Sequence, residues 1–144
     1  MTTDVARRRL IFHGILLFFL GLLMGMFIQL MRNPRMGLSA HVGTLMSGLF
    51  LALLGTVWRD VRLSQSAAGF VFWLALYAMY VSSLGLLLAA VFGTSLSTPL
   101  IGAGFRARAW QETLVTFALS SGAVAALLCC AGALWGLRGR AAAT

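Results

Sequence analysis

The sequence predicts an all-α membrane protein, a bundle of four transmembrane helices, and three observations carry that prediction. Of its 144 residues, 60% are hydrophobic and 10% charged, whereas soluble domains are about 45–50% apolar and about 25% charged. Apolar stretches of about 20 residues recur along the chain, each long enough to cross roughly 30 Å of hydrocarbon. No ten-residue alternating pattern suggests a barrel, so the backbone must pair within each segment, as helices do. Residues 1–144 read as a single membrane domain embedded in a lipid bilayer.

The first span is expected at about 10–31. It follows Arg7-Arg8-Arg9, as the apolar core of a signal peptide would. It is too long for that, and no small-x-small cleavage site follows, so it reads as a helix that stays. A tight turn over 32–37, holding Pro34 and Gly37, leads to the second span at about 38–58. The polar stretch 59–66 precedes the third span, about 67–92. The longest connection, 93–112, holds Pro99, Gly102 and Gly104. A loop of that length in so compact a chain suggests a lid over the bundle. The fourth span is expected at about 113–137.

The net charge is +8, and all eleven basic residues are arginine. They are split among the ends and short connections, with no continuous basic stripe, so no nucleic-acid partner is expected. Arg7, Arg8, Arg9, Arg59, Arg62, Arg138 and Arg140 fall on one side of the membrane. Arg32, Arg35, Arg106 and Arg108 fall on the other. Seven against four places both termini in the cytoplasm. Cys129 and Cys130 are adjacent in an apolar run and read as small packing residues.

Small residues recur four apart, as in Gly21 and Gly25, Gly48 and Ala52, Gly85 and Ala89, Gly132 and Gly136. Such spacing lets helices approach closely, and ordinary membrane packing accounts for it. Trp58, Trp110 and Trp135 fall near span ends, as an aromatic belt does. Tyr77 and Tyr80 lie mid-span, where a phenol needs a hydrogen-bond partner. Ser82 and Ser83 follow within a turn. These hydroxyls either bind neighbouring helices or face a substrate.

Histidine is the side chain most able to carry chemistry here. His41 lies just inside the second span, where an ionisable ring is costly and usually has a partner or a task. Neutral imidazole is also the commonest metal ligand among side chains. On a helix, His41, Thr44 and Gly48 point in similar directions, with Ser47 a little further round. Gly48 would leave space against which a flat group could lie. A structural histidine bonded to a backbone or hydroxyl group is the competing explanation. His13 sits near the start of the first span, which runs antiparallel to the second, so the two rings are expected near opposite membrane faces. Joint ligation of one metal within a subunit is therefore not expected. There is no carboxylate pair, no HExxH, no GxSxG and no phosphate-binding glycine loop, so hydrolysis and phosphoryl transfer are poorly supported. No acidic residue lies inside a span, which argues against proton-coupled export.

The segment Asn33-Pro34-Arg35-Met36-Gly37-Leu38-Ser39-Ala40-His41 closely resembles that of bacterial hydroxylaminobenzene mutases. The resemblance extends to Phe12-His13-Gly14, to Phe72-Trp73-Leu74-Ala75-Leu76-Tyr77, to Gly102-Ala103-Gly104-Phe105 and to Trp110-Gln111-Glu112. It covers nearly the whole chain, in order. A more distant similarity is to styrene oxide isomerases, also small four-span enzymes. Those are trimers with haem b between neighbouring subunits, held by a histidine at the place of His41. The resemblance thus implies His41 as the iron ligand and Thr44 and Gly48 on the same face. Arg32, Arg35, Arg106 and Arg108 lie on the same membrane side as candidates for the haem propionates. Ser47 and Ser82 stand where the related enzymes tend to carry Asn, a side chain with longer polar reach.

The expected activity is conversion of an aryl hydroxylamine to an aminophenol without net redox change. Ser47, Tyr77, Tyr80 and Ser82 are the candidate pocket residues, and the resemblance implies a bacterial cytoplasmic-membrane homotrimer. Alternatives are an epoxide isomerase of the styrene oxide type, a haem electron carrier using His41 with a neighbour's His13, and a non-catalytic membrane subunit.

Overall fold

In the computed structural model, residues 2–138 are described. Arg140, one of the seven arginines counted on the terminal side, lies outside the described residues. Four helices run α1 (Thr3–Met26), α2 (Pro34–Val57), α3 (Gln65–Phe92) and α4 (Ala109–Leu137), with one 3-10 turn over Ile28–Leu30 after α1. All four are long and apolar enough to cross a membrane, and no strand occurs among the described residues. The protein is a multi-pass membrane protein, a four-helix bundle.

Each helix begins earlier than its apolar run, for a local reason. In α1, Asp4 in the first turn suits the positive helix end, and the three arginines continue the helix beyond the apolar segment. The expected turn over 32–37 is instead the start of α2. Asn33 accepts from the Met36 N–H at 3.2 Å, and Pro34 occupies the first helical position, where its missing N–H costs nothing. Ser64 caps α3, and Gly93 ends it in the left-handed region at φ 66°. At α4 the Arg108 N–H donates to Gln111 Oε1 at 2.9 Å.

The helices pack in chain order, α1 on α2, α2 on α3 and α3 on α4, while α1 and α4 do not pack on each other among the described residues. The antiparallel α1–α2 crossing is the tightest. A Cβ at Gly14 would lie 2.5 Å from the Ala52 nitrogen, and one at Gly48 would lie 2.5 Å from the Phe18 nitrogen. Gly85 faces Leu119, and Gly132 faces Val71, so these small residues serve packing within the chain. Leu10, Leu51, Phe72 and Cys129 form the main core. Trp58 departs from the expected belt. It is only 3% exposed and meets Phe72 edge-on, whereas Trp110 and Trp135 are exposed. Apolar side chains such as Phe12, Ile15, Phe117 and Leu127 cover the outside, as a lipid-facing surface requires.

Asp4 and Arg59 form an ion pair at 2.7 Å, and the Arg62 N–H donates to the Gly136 carbonyl at 3.0 Å. The start of α1, the α2–α3 connection and the end of α4 therefore share one end of the bundle.

The connection 93–108 is fastened to the helices around it. Arg32 donates to the carbonyls of Phe92 (2.9 Å) and Arg106 (3.0 Å). Asn33 Nδ2 donates to the Ile101 carbonyl at 3.0 Å, and Arg35 to that of Ala103 at 3.1 Å. From α4, the Glu112 carboxylate accepts from the N–H groups of Ser95, Leu96 and Ala107. Ser97 and Thr116 hydroxyls meet at 2.6 Å.

Candidate functional site

His41 sits on the second turn of α2 and turns towards α1. Its Nδ1 lies 2.7 Å from the Gly21 carbonyl oxygen, and its ring fills the space that a Cβ at Gly25 would occupy. A carbonyl only accepts, so Nδ1 donates, and in the neutral ring the lone pair is on Nε2. This is how ligating histidines are commonly oriented, with the ring nitrogen away from the metal donating to a carbonyl. The structural explanation for His41 is thus satisfied at one nitrogen and leaves the other with ligand chemistry. The ring is half-buried, and Leu22, Leu38 and Val42 on the adjoining helix faces are exposed.

Thr44 lies one turn further along α2. It is 1% exposed, and its hydroxyl has no hydrogen-bond partner among the described residues. It borders a cavity of about 320 Å³ between α1 and α3, together with Leu17, Tyr80 and Ser83. Gly48 borders a shallow apolar groove of about 190 Å³ with Ile15, Phe18, Leu49 and Ala52, but the direction its own Cβ would take is closed. The backbone of α1 fills that position, with Gly14 O 2.6 Å from a Cβ built there. Arg35 is exposed and spends one donor on Ala103. Arg32 gives two donors to loop carbonyls, so of the two it is more committed to the fold.

Ser47, Tyr77, Tyr80 and Ser82 do not share one cavity wall. An α-helix turns about 100° per residue, so Tyr80 and Ser82 face opposite ways from α3. Tyr80 reaches α1 and hydrogen-bonds His13 Nδ1 at 2.8 Å. Ser82 abuts Gly122 of α4. Tyr77 donates to Ser121 Oγ at 2.9 Å and is 41% exposed. Ser47 is half-buried on α2 and does not border the Tyr80 cavity. Both tyrosines have partners on neighbouring helices, one of the two uses expected of them. His13 is separated from His41 as expected. His41 is level with Gly25, which is twelve residues beyond His13, or roughly 18 Å along α1.

The sequence names Ser83 beside Ser82, but nothing in the pattern distinguishes the two. Only the packing shows that Ser83 is buried at the cavity and Ser82 is against α4. Asn33 carried a readable signal, since Asn before Pro at an apolar onset is a helix-start signature. Its second role, holding Ile101, spans 68 positions and has no local trace. Among the described residues no group of three or more His, Cys, Asp or Glu converges.

The model of the family described as styrene oxide isomerase matches residues 6–138. The hydroxylaminobenzene mutase HabB of Ectopseudomonas oleovorans is 42% identical over 132 residues, covering 91% of this chain and 80% of the relative. The hydroxylaminobenzene mutase HabA of the same organism is 36% identical over 109 residues, covering 75% of this chain and 81% of the relative. No solved structure matched. With the match running from the first turns of α1 to the end of α4, the chain belongs to the styrene oxide isomerase family and is an intramolecular isomerase or mutase.

Proposed function

We propose that this protein converts hydroxylaminobenzene to 2-aminophenol by a redox-neutral rearrangement, as a homotrimer with haem b held between neighbouring subunits by His41. The observation that carries the proposal is the His41–Gly21 bond, which leaves Nε2 as a free ligand atom. A macrocycle-borne iron needs one such protein ligand, and His41 offers one on a half-buried, otherwise apolar face. Exposed Leu22, Leu38 and Val42 suit a flat apolar group, and Arg35 retains donors for a carboxylate near the start of α2. The bilayer site and the relatives' names supply the substrate class, an aromatic compound that partitions into lipid.

Bound there, ferric haem would supply a Lewis acid for the substrate oxygen. The chain's own residues fix the ligand ring through Gly21 and exclude water with leucine and valine side chains. The reaction moves one oxygen from nitrogen to the ring, so substrate and product are isomers and no external oxidant or reductant is consumed. Epoxide isomerisation, the reaction in the family's name, would use the same site.

The test is to purify the protein in mild detergent, record oxidised and reduced absorption spectra, and then assay hydroxylaminobenzene and styrene oxide. We expect a near-stoichiometric Soret band, lost in His41→Ala, and 2-aminophenol as the main product. A colourless folded protein from haem-sufficient cells would overturn the haem assignment. A haem protein that turns over only the epoxide would overturn the substrate.

A further inference from the structure

The α1–α3 cleft holds two features that the His41 face does not account for. The hydroxyls of Thr44 and Ser83, residues 1% and 5% exposed, have no partner among the described residues. Both residues border the same cavity of about 320 Å³. That volume is at the low end of the ~300–1000 Å³ typical of small-molecule sites. Burying a hydroxyl unpaired is costly, and a bound polar group would relieve two such hydroxyls in one wall, although Thr94 and Thr98 are also buried unpaired away from this cavity. The cleft lies on a different sector of α1 from His41. Leu17, Leu20 and Met24 face it, whereas Gly21 and Gly25 face His41.

We propose that this cleft binds a neutral one-ring aromatic bearing a hydroxyl, amino or hydroxylamino group, separately from the His41 site. Leu20, Leu84 and Leu87 sandwich the ring. The polar group pairs with Thr44 and Ser83, whose buried oxygens form none of the apolar lining and would have to turn about χ1 to meet it. Tyr80, its hydroxyl anchored on His13, borders the cleft. No charged side chain borders the cleft, so an ionised ligand is disfavoured. A lipid acyl chain fits the walls but leaves both hydroxyls unpaired. The choice of a ring compound rests on the proposed activity; the cleft and its orphaned hydroxyls do not.

The experiment is photolabelling of the full chain in lipid nanodiscs with 3-azidophenol, a neutral one-ring phenol, followed by peptide mapping. We expect adducts concentrated at positions 17–24 of α1 and 80–87 of α3. Excess 2-aminophenol should reduce them at least fivefold, as should the double variant Thr44→Val, Ser83→Ala, while His41→Ala leaves them intact. Adducts spread over every lipid-facing surface, insensitive to 2-aminophenol, or lost in His41→Ala would each overturn the proposal. The wild-type map and competition suffice should the double variant fail to fold. A labelled cleft in a protein without mutase activity retains the site and sinks the proposed reaction; an unlabelled cleft in an active mutase does the reverse.

Discussion

His41 and Gly21 are joined across the α1–α2 interface by a 2.7 Å hydrogen bond from ring Nδ1 to a backbone carbonyl. The acceptor is main chain, so side-chain substitution cannot delete it directly, but it can be displaced. Gly25, one turn on, leaves room for the ring; a Cβ there would come within 2.7 Å of Nδ1. Gly25→Val is expected to swing the ring off Gly21 and lower cofactor occupancy at least tenfold, read as the ratio of Soret to protein absorbance. Its folding cost should stay at about 1–3 kcal/mol, the usual penalty for overpacking. Full occupancy in folded Gly25→Val would show that the Gly21 bond is dispensable.

Gly14 and Gly48 make a different prediction, because each meets backbone rather than a side chain. Backbone in a helix has no rotamer with which to yield. Gly14→Val and Gly48→Val should each destabilise by at least about 3 kcal/mol, above the ordinary overpacking range. The measurement is thermal unfolding in detergent, in which near-normal melting would refute so close a crossing.

The His13–Tyr80 bond is testable by a double-mutant cycle. Interhelical hydrogen bonds inside membranes average about 0.6 kcal/mol and reach about 1.7. His13→Ala and Tyr80→Phe should therefore show a coupling of that size in reversible unfolding. Additive effects would mean that the bond adds nothing to the bundle.

Glu112 accepts three loop N–H groups at the start of α4. Glu112→Ala leaves those donors to water or unpaired, at a cost of about 1–3 kcal/mol for each one that stays buried. Limited proteolysis should then cut within 93–108 at least tenfold faster, while Glu112→Gln, which keeps an acceptor, falls between. Equal cleavage of all three proteins would remove Glu112 from its fastening role.

Asn33 combines a helix cap with a loop anchor. Loss of a cap costs about 0.5–2 kcal/mol, and loss of the Ile101 bond adds to it. Asn33→Asp keeps the cap acceptor and loses the donor to Ile101. It should restore part of the stability that Asn33→Ala loses, measured by the same thermal unfolding. Identical destabilisation in the two variants would count against the cap.

The sequence by itself determined the class, the number and order of spans, the separation of the histidines and the family, because these follow from properties that are local or additive along the chain. Hydrophobic length reports membrane crossing, and the Asn33–His41 run is a contiguous signal. The helices start two to seven residues before their apolar runs, because apolarity marks lipid contact while α2 and α4 begin in polar turns with their own caps. Tertiary structure alone decided which neighbours each face meets. Tyr80 and Ser82, two positions apart, look to different helices; the α1 backbone fills the Cβ direction at Gly48; the 93–108 loop is tied to α2 and α4. The tautomer of His41 belongs to the same class. It depends on a carbonyl twenty positions away, brought into reach only because Gly21 and Gly25 let α1 and α2 lie close together.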